Sequence, residues 1–132
     1  MTHMVTSRSA LEAEVDAYLV EPSQNLSTWS VSAISDFSGL FDGFRRNTDA
    51  TGFNSGDVNH WDMNGAINLV EMFRGNGQRG SAFNQTLHRW QVGNVRDFRA
   101  MFRFAGQFSQ DLDMWDISSA TNLAFMFSMA DS

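Results

Sequence analysis

The sequence contains no cysteine, and its only proline is Pro22. Without cysteine the chain can form no disulfide, no thiolate nucleophile and no cysteine-ligated zinc site. Lysine is absent as well, since all 9 basic residues are arginine, and the formal net charge is −6. Because contacts with phosphate groups need clustered positive charge, we expect no nucleic-acid partner.

The sequence also lacks the signals of membrane insertion and of common enzymes. No apolar run approaches the length of a membrane-spanning helix, and Met1 to Arg8 lack the apolar core of a secretory signal. Localisation is left open between an intracellular protein and one whose chain begins after processing. None of the zinc-protease, serine-hydrolase, P-loop or dinucleotide motifs is present, so we expect no enzyme activity, no catalytic residue and no cofactor.

The best candidate for a metal site is the acidic run Asp111, Asp113 and Asp116. Calcium sites do use closely spaced carboxylates, but this run lacks the glycine and the terminal glutamate of a calcium loop. We therefore expect solvated acidic side chains at these positions and no bound metal.

What the sequence does contain is one pattern that occurs four times, each copy anchored on a tryptophan. An aliphatic residue stands three positions before the tryptophan, and apolar residues stand two and five positions after it. An aspartate or asparagine follows seven positions after it, and the copy closes with a Leu-Phe or Met-Phe pair. The anchors are Trp29, Trp61, Trp90 and Trp115, and the closing phenylalanines are Phe41, Phe73, Phe102 and Phe127.

A repeat whose copies can bury their apolar side only against each other predicts a solenoid. The aliphatic, tryptophan and apolar positions follow the spacing of a leucine-rich-repeat strand, and the apolar residues after them follow the helical period. We therefore predict a leucine-rich-repeat-like α/β solenoid over residues 25–132, with a short parallel strand and a short helix or 3₁₀ turn in each repeat. The aspartate or asparagine is expected to bond backbone amides in a turn.

Residues 1–24 are predicted to form an N-terminal tail and a capping helix. Leu11 and Val15 recur at helical spacing, and either Ser7 or Ser9 can cap the start of the helix. We expect this helix to run from Ser9 to Leu19 and to cover the open edge of the first repeat, because a solenoid needs such a cap to remain soluble.

Two stretches, Phe83 to Phe102 and Phe108 to Phe127, carry a resemblance to a known family. Their pattern resembles the repeats of BspA-like leucine-rich-repeat surface proteins. It is more similar still to the repeats of roughly 25 residues first catalogued in mycoplasma lipoproteins and common in unicellular algae. The resemblance covers the chain from about Asn25 onward. It implies a leucine-rich-repeat solenoid, a place on the cell surface or outside the cell, a role in adhesion or protein binding, and neither catalytic residue nor cofactor.

Two regions are candidates for contact with a protein partner. On a strand, the residues that flank a buried tryptophan point to the opposite face, so the predicted strand face is polar. The candidate residues on it are His60, Asp62, Arg89, Gln91 and Asp116. The second region is the longest loop between repeats, where Phe44 and Arg45 either pack back on the fold or form an exposed contact point.

Three functions remain open at this point. The first, which we favour, is a protein-binding or adhesion module that uses the strand face. The second is a structural or self-associating scaffold subunit, since the last repeat would leave Met126, Phe127 and Met129 on an exposed apolar edge. The third is a glycan- or metal-binding surface module.

Overall fold

The computed structural model describes residues 3–22 and 25–130. Strand β1 spans His3–Met4, helix α1 spans Arg8–Val20, strand β2 spans Trp29–Ser30, and 3₁₀ helices span Leu26–Thr28 and Gly56–His60. The two strands pair in parallel, with His3 opposite Trp29. None of the described helices is long and apolar enough to cross a membrane. Most of the remaining chain consists of turns and the segments that join them, and hydrogen bonds between repeats stabilise it.

Helix α1 is the predicted helix, extended by one residue at each end. Ser7 rather than Ser9 is the N-cap, and its hydroxyl oxygen accepts a hydrogen bond from the backbone N–H of Ala10 at 3.1 Å. Leu11 and Val15, one helical turn apart, are completely buried. The helix therefore contributes one apolar side to the core, as the spacing of these residues predicts.

The repeats contact each other through parallel backbone hydrogen bonds in their second halves. The carbonyls of Ser35, Ile67 and Arg96 accept N–H groups of the following repeat. In the longer row of bonds after them, the N–H group of one repeat donates to a carbonyl oxygen of the next repeat. The first such bonds run from Phe37 to Asn68, from Leu69 to Asp97 and from Phe98 to Asn122, and each is 2.9 Å long. Equivalent bonds follow two and four residues later in every repeat. Because the bonds of this longer row donate in one direction, the row begins with carbonyl groups at the first repeat and ends with N–H groups at the last.

The aspartate or asparagine seven residues after each tryptophan fixes a turn. Oδ1 of Asp36 accepts a hydrogen bond from the backbone N–H of Ser38 at 2.9 Å, and the same contact recurs in the other three repeats. The prediction that this residue type bonds backbone amides is confirmed. Three residues further on, each repeat adopts a positive φ, at Gly39, Glu71, Ala100 and Phe125.

Aromatic rings form columns that cross the repeats. Trp29 stacks on Trp61 with 6.1 Å between ring centres, and Trp90 stacks on Trp115 at 6.4 Å. The closing phenylalanines stack in chain order at 5.6 to 5.8 Å. Phe53, Phe83 and Phe108 form another column beside that of the closing phenylalanines. Burial of these large rings is the main apolar contribution to the core.

The elements within a repeat do not lie where the sequence pattern placed them. The stretch before Trp61 was predicted as a strand and is a 3₁₀ helix, while Trp29–Ser30 pairs with β1 rather than with a neighbouring repeat. Single-residue parallel bridges occur instead at the aspartate or asparagine, in the half predicted to be helical. The reason is local. The N–H of Trp61 donates to the carbonyl of Val58 at 3.0 Å and closes a 3₁₀ turn, and a backbone in this turn cannot at the same time have the extended conformation of a strand.

Candidate binding surfaces

The residues of the predicted strand face are all exposed, although none of them lies in a strand. We call the surface formed by His60, Asp62, Arg89, Gln91 and Asp116 the polar face. Nη1 of Arg89 lies 2.9 Å from Nδ1 of His60, and since arginine can only donate, the imidazole nitrogen accepts. The structure thus brings together two of the five residues from neighbouring repeats. In the described chain the other three make no hydrogen bond or ion pair with one another.

A buried asparagine that the sequence pattern did not reveal supports the polar face. Asn59 is 6% exposed, and its Oδ1 accepts the backbone N–H of Arg89 at 3.1 Å. Its Nδ2 lies 3.4 Å from Nδ1 of His88. The amide side chain therefore fixes the backbone directly under Arg89. The sequence does not reveal the burial of Asn59, because its counterparts Ser27, His88 and Asp113 are polar as well.

The acidic run beside the polar face is engaged in local turns. Oδ1 of Asp111 accepts the backbone N–H of Asp113 at 2.8 Å, and Oδ1 of Asp116 accepts that of Ser118 at 3.0 Å. The hydroxyl and the backbone N–H of Ser118 lower the pKa of Asp116 below its ordinary value. Across the described ranges, no group of three or more histidine and carboxylate side chains is arranged to hold a metal.

Phe44 is one of two predicted loop contacts, and its ring is 52% exposed. The guanidinium carbon of Arg74 lies 4.5 Å from the centre of this ring, so the exposed ring is held in place by a cation–π contact. Arg74 also donates to both carboxylate oxygens of Asp42, at 3.0 and 2.7 Å, and pairs with Glu71. Burial alone would lower the pKa of Arg74, but its hydrogen bonds and its attraction to these carboxylates outweigh burial and raise it.

Arg45, the other predicted loop contact, is occupied within the protein. Its side chain is only 5% exposed, its Nη1 donates to the carbonyl of Leu40 at 2.7 Å, and it forms an ion pair with Asp16 of α1. Thr48 donates to the same carboxylate oxygen at 2.8 Å. Arg45 therefore joins α1 to the first repeat, and a partner at this loop would meet Phe44 instead. The sequence carries no signal for this role, because one partner of Arg45 is a backbone carbonyl.

A third surface, which we call the end face, belongs to the last repeat. Its residues surround a hollow of about 340 Å³ and are Leu112, Trp115, Ile117, Leu123, Met126 and Phe127. Ile117, Leu123 and Phe127 are 44%, 45% and 51% exposed, whereas their counterparts in the three preceding repeats are at most 2% exposed. In those repeats, the next repeat along the chain covers the side chains that the last repeat leaves open to solvent.

Comparison with known proteins identifies a family but no individual relative. No curated protein and no solved structure matches the chain significantly. A family described as "Mycoplasma protein of unknown function, DUF285" matches residues 1–132, which is the whole chain. This match agrees with the similarity of the repeats to those first catalogued in mycoplasma lipoproteins. The chain belongs to this family of mycoplasma proteins of unknown function.

Proposed function

We propose that the four repeats form a leucine-rich-repeat-like solenoid of the BspA-like type, and that the protein is a non-enzymatic module that binds another protein through the polar face. The observation that carries the proposal is a row of indole hydrogen bonds beneath that face. Each indole Nε1 donates to the carbonyl that precedes the tryptophan of the previous repeat by three residues. The bonds run from Trp61 to Leu26, from Trp90 to Val58 and from Trp115 to Leu87, at 2.9, 2.8 and 3.2 Å.

These bonds support binding because they hold the backbone rigid where the polar side chains emerge. A rigid surface loses little conformational entropy on association, so its contacts contribute more fully to affinity. His60 and Arg89 each stand directly beside an anchoring tryptophan. The guanidinium of Arg89 carries five N–H donors, and its contact with His60 uses one nitrogen, so donors remain for carboxylate or amide oxygens of a partner.

The resemblance to BspA-like surface proteins supports a role in adhesion at the cell surface or outside the cell. The mixed charge of the polar face fits a protein partner better than a phosphate-rich one, because Asp62 and Asp116 belong to it together with Arg89. Asp62 and Asp116 would repel a polyanion that approached Arg89, whereas a protein surface can present both signs. We therefore propose as the partner a folded protein that presents both acidic and basic groups.

The test compares three immobilised forms of the protein in capture from the producing cells. They are the natural sequence, the double variant His60→Ala with Arg89→Glu, and the loop variant Phe44→Ala as control. A protein captured by the natural and Phe44→Ala forms is identified by mass spectrometry and titrated by calorimetry. We expect the double variant to bind it at least about tenfold more weakly with an unchanged melting temperature. Equal binding by the double variant, with loss in Phe44→Ala, would move the site to the loop.

A second candidate function is structural, in which the protein acts as a scaffold subunit that stacks through its end face. The specific observation in its favour is the exposure of Ile117, Leu123 and Phe127, which no other repeat shows at these positions. Light scattering of the natural protein and of Ile117→Asp, each over a range of concentrations, tests whether the stacking is with further copies. The glycan- or metal-binding alternative has no comparable contact in its favour.

A further inference from the structure

We propose that the end face is a docking site for one further tryptophan-bearing repeat, whichever polypeptide carries it, and that this repeat adds to the last repeat edge to edge. This inference rests on the scaffold role, names the chemistry of its partner, and is independent of the polar face. Three separate features of the end face fit such a repeat, and each repeats a contact already made between the repeats of this chain.

The first feature is a row of unused backbone donors. In the first three repeats the N–H groups eight, ten and twelve residues after the tryptophan donate to carbonyls of the following repeat. The equivalent groups of the last repeat belong to Leu123, Phe125 and Phe127, and in the part of the chain that the structure describes they have no acceptor. Their alternate spacing matches an incoming chain that presents a carbonyl at every second residue. Edge groups of this kind pair readily with another strand.

The second feature is a carbonyl with room for one more donor. The carbonyl of Val58 accepts the backbone N–H of Trp61 at 3.0 Å and the indole N–H of Trp90 at 2.8 Å. The carbonyl of Leu87 has the same two kinds of donor. The carbonyl of Leu112 accepts only the backbone N–H of Trp115, at 3.0 Å, among the described residues. A carbonyl oxygen has two lone pairs, so Leu112 retains the one that an indole fills elsewhere.

The third feature is the apolar hollow. In the first and third repeats, the ring at the position that Leu123 occupies in the last one packs against the tryptophan of the following repeat. The ring of Phe98, for example, lies 5.9 Å from that of Trp115. Leu123 is the counterpart of Phe98 in the last repeat, and it faces the hollow of about 340 Å³. The hollow is therefore continuous with the contact that joins the repeats.

An intact second copy of the chain fits this surface poorly. The carbonyl edge that it would have to present is covered: Arg8 donates to the carbonyls of Asp36 and Ser38 at 3.1 and 2.6 Å, and Arg45 donates to that of Leu40. Two end faces would bring N–H groups against N–H groups. The better occupant is a polypeptide that carries the repeat pattern and leaves its carbonyl edge open.

The test uses a labelled synthetic peptide of residues 106–130, which holds one whole repeat with its tryptophan. Its binding to the 132-residue protein is followed by fluorescence anisotropy. Because the peptide must order on binding, we expect a Kd between about 10 µM and 1 mM. A peptide in which phenylalanine replaces the tryptophan keeps the ring and lacks the indole N–H, and it should bind about five to ten times more weakly.

Protein variants assign the binding to the end face. Ile117→Asp and Leu123→Asp change exposed residues and should abolish binding, while Arg89→Glu on the polar face should leave it unchanged. Circular dichroism and the melting temperature establish that each variant is folded. The proposal is overturned if a scrambled peptide binds equally well, or if no binding is seen up to about 1 mM. It is also overturned if the mass of the protein alone rises with concentration and Ile117→Asp prevents the rise. The last result would make a second copy the occupant.

The register of docking is tested by disulfide formation, which is clean because the chain has no cysteine. Parallel neighbours lie about 4.8 Å apart, within reach of a disulfide. Ala124→Cys in the protein should cross-link to a peptide with cysteine at its own Ala124 position. A peptide with cysteine at its Ser128 position should cross-link at least about tenfold more slowly, because between the third and fourth repeats the carbonyl of Ser128 meets Phe104 and that of Ala124 meets Ala100. Equal rates would show that the peptide does not dock in the register of the repeats.

Discussion

The indole nitrogen of Trp90 lies 2.8 Å from the carbonyl oxygen of Val58 in the preceding repeat. The same oxygen accepts the backbone N–H of Trp61 and closes the turn that leads into that tryptophan. One carbonyl thus fixes both the local conformation of a repeat and its contact with the next. The tryptophan anchor of the sequence pattern follows from this double role, since neither phenylalanine nor tyrosine places a ring N–H at that point.

Two substitutions of Trp90 distinguish the contribution of the buried ring to stability from that of its indole hydrogen bond. Trp90 is 2% exposed, so Trp90→Ala should lower the free energy of unfolding by about 3–5 kcal/mol. Trp90→Phe retains most of the apolar burial and loses the indole N–H, and it should cost about 1–2 kcal/mol. Urea unfolding followed by circular dichroism measures both, with the exposed neighbour Gln91→Ala as control. A phenylalanine variant as stable as the natural protein would show that the indole bond contributes nothing.

A substitution at Gly39 tests the energetic cost of the positive φ that each repeat adopts ten residues after its tryptophan. Its φ is +62°, and an added Cβ would meet nothing closer than 3.8 Å, so space does not limit the substitution. Gly39→Ala should still destabilise the protein by about 1 kcal/mol, because a side chain is disfavoured in the left-handed region. Gly52→Ala is the matched control, since open space surrounds Gly52 and its φ is not positive. Thermal unfolding that shows equal effects for the two variants would contradict the backbone explanation.

Arg8 links helix α1 to the carbonyl edge of the first repeat. Arg8→Met retains the apolar part of the side chain and removes the donors to Asp36 and Ser38, so we expect a loss of about 1–2 kcal/mol in unfolding free energy. The exposed Arg46→Met should have no measurable effect. Sedimentation of the two variants reports whether the uncovered edge attracts other chains. If Arg8→Met were as stable as the natural protein, the arginine would not be part of the cap.

The sequence predicted the repeats, a helix from Ser9 to Leu19 and the turn-forming role of Asp36 and its counterparts, because each depends on residues close together in the chain. It misplaced the parallel hydrogen bonds because the 3₁₀ turn before Trp61 resembles a strand in its apolar spacing. It also missed the cap formed by Arg8, whose acceptors are backbone carbonyls 28 and 30 residues away. Backbone acceptors leave no trace in residue type, so such contacts appear only in the folded chain.

The polar face illustrates the same limit. The sequence predicted that His60 and Arg89 are exposed, and the exposure is confirmed. It did not predict their mutual contact at 2.9 Å, which depends on how far one repeat is shifted against the next. The sequence left open whether the loop of Phe44 and Arg45 packs back or is exposed, and the ion pair of Arg45 with α1 buries its guanidinium. Long side chains can turn inward or outward from the same backbone position, and local spacing does not distinguish the two.

Asp16 gives stability a dependence on pH that can be measured. Burial alone would raise the pKa of this carboxyl, but hydrogen bonds from Arg45, Thr48 and Asn47 outweigh burial and hold the pKa below its ordinary value. A lowered pKa in the folded state means that the charged form stabilises the protein at pH values above the ordinary pKa of about 3.9. This contribution is lost as the pH falls through the lower pKa of the folded state.

We therefore expect Asp16→Asn to be less stable than the natural protein at neutral pH, with a difference that shrinks as the pH falls below about 4. Urea unfolding at a series of pH values between about 2.5 and 7 measures this difference directly. Thr48→Val removes one of the bonds that lower the pKa, so its own pH dependence should be weaker in the same range. A difference that grows as the pH falls would mean that the protonated carboxyl is the stabilising form, which the contact with Arg45 opposes.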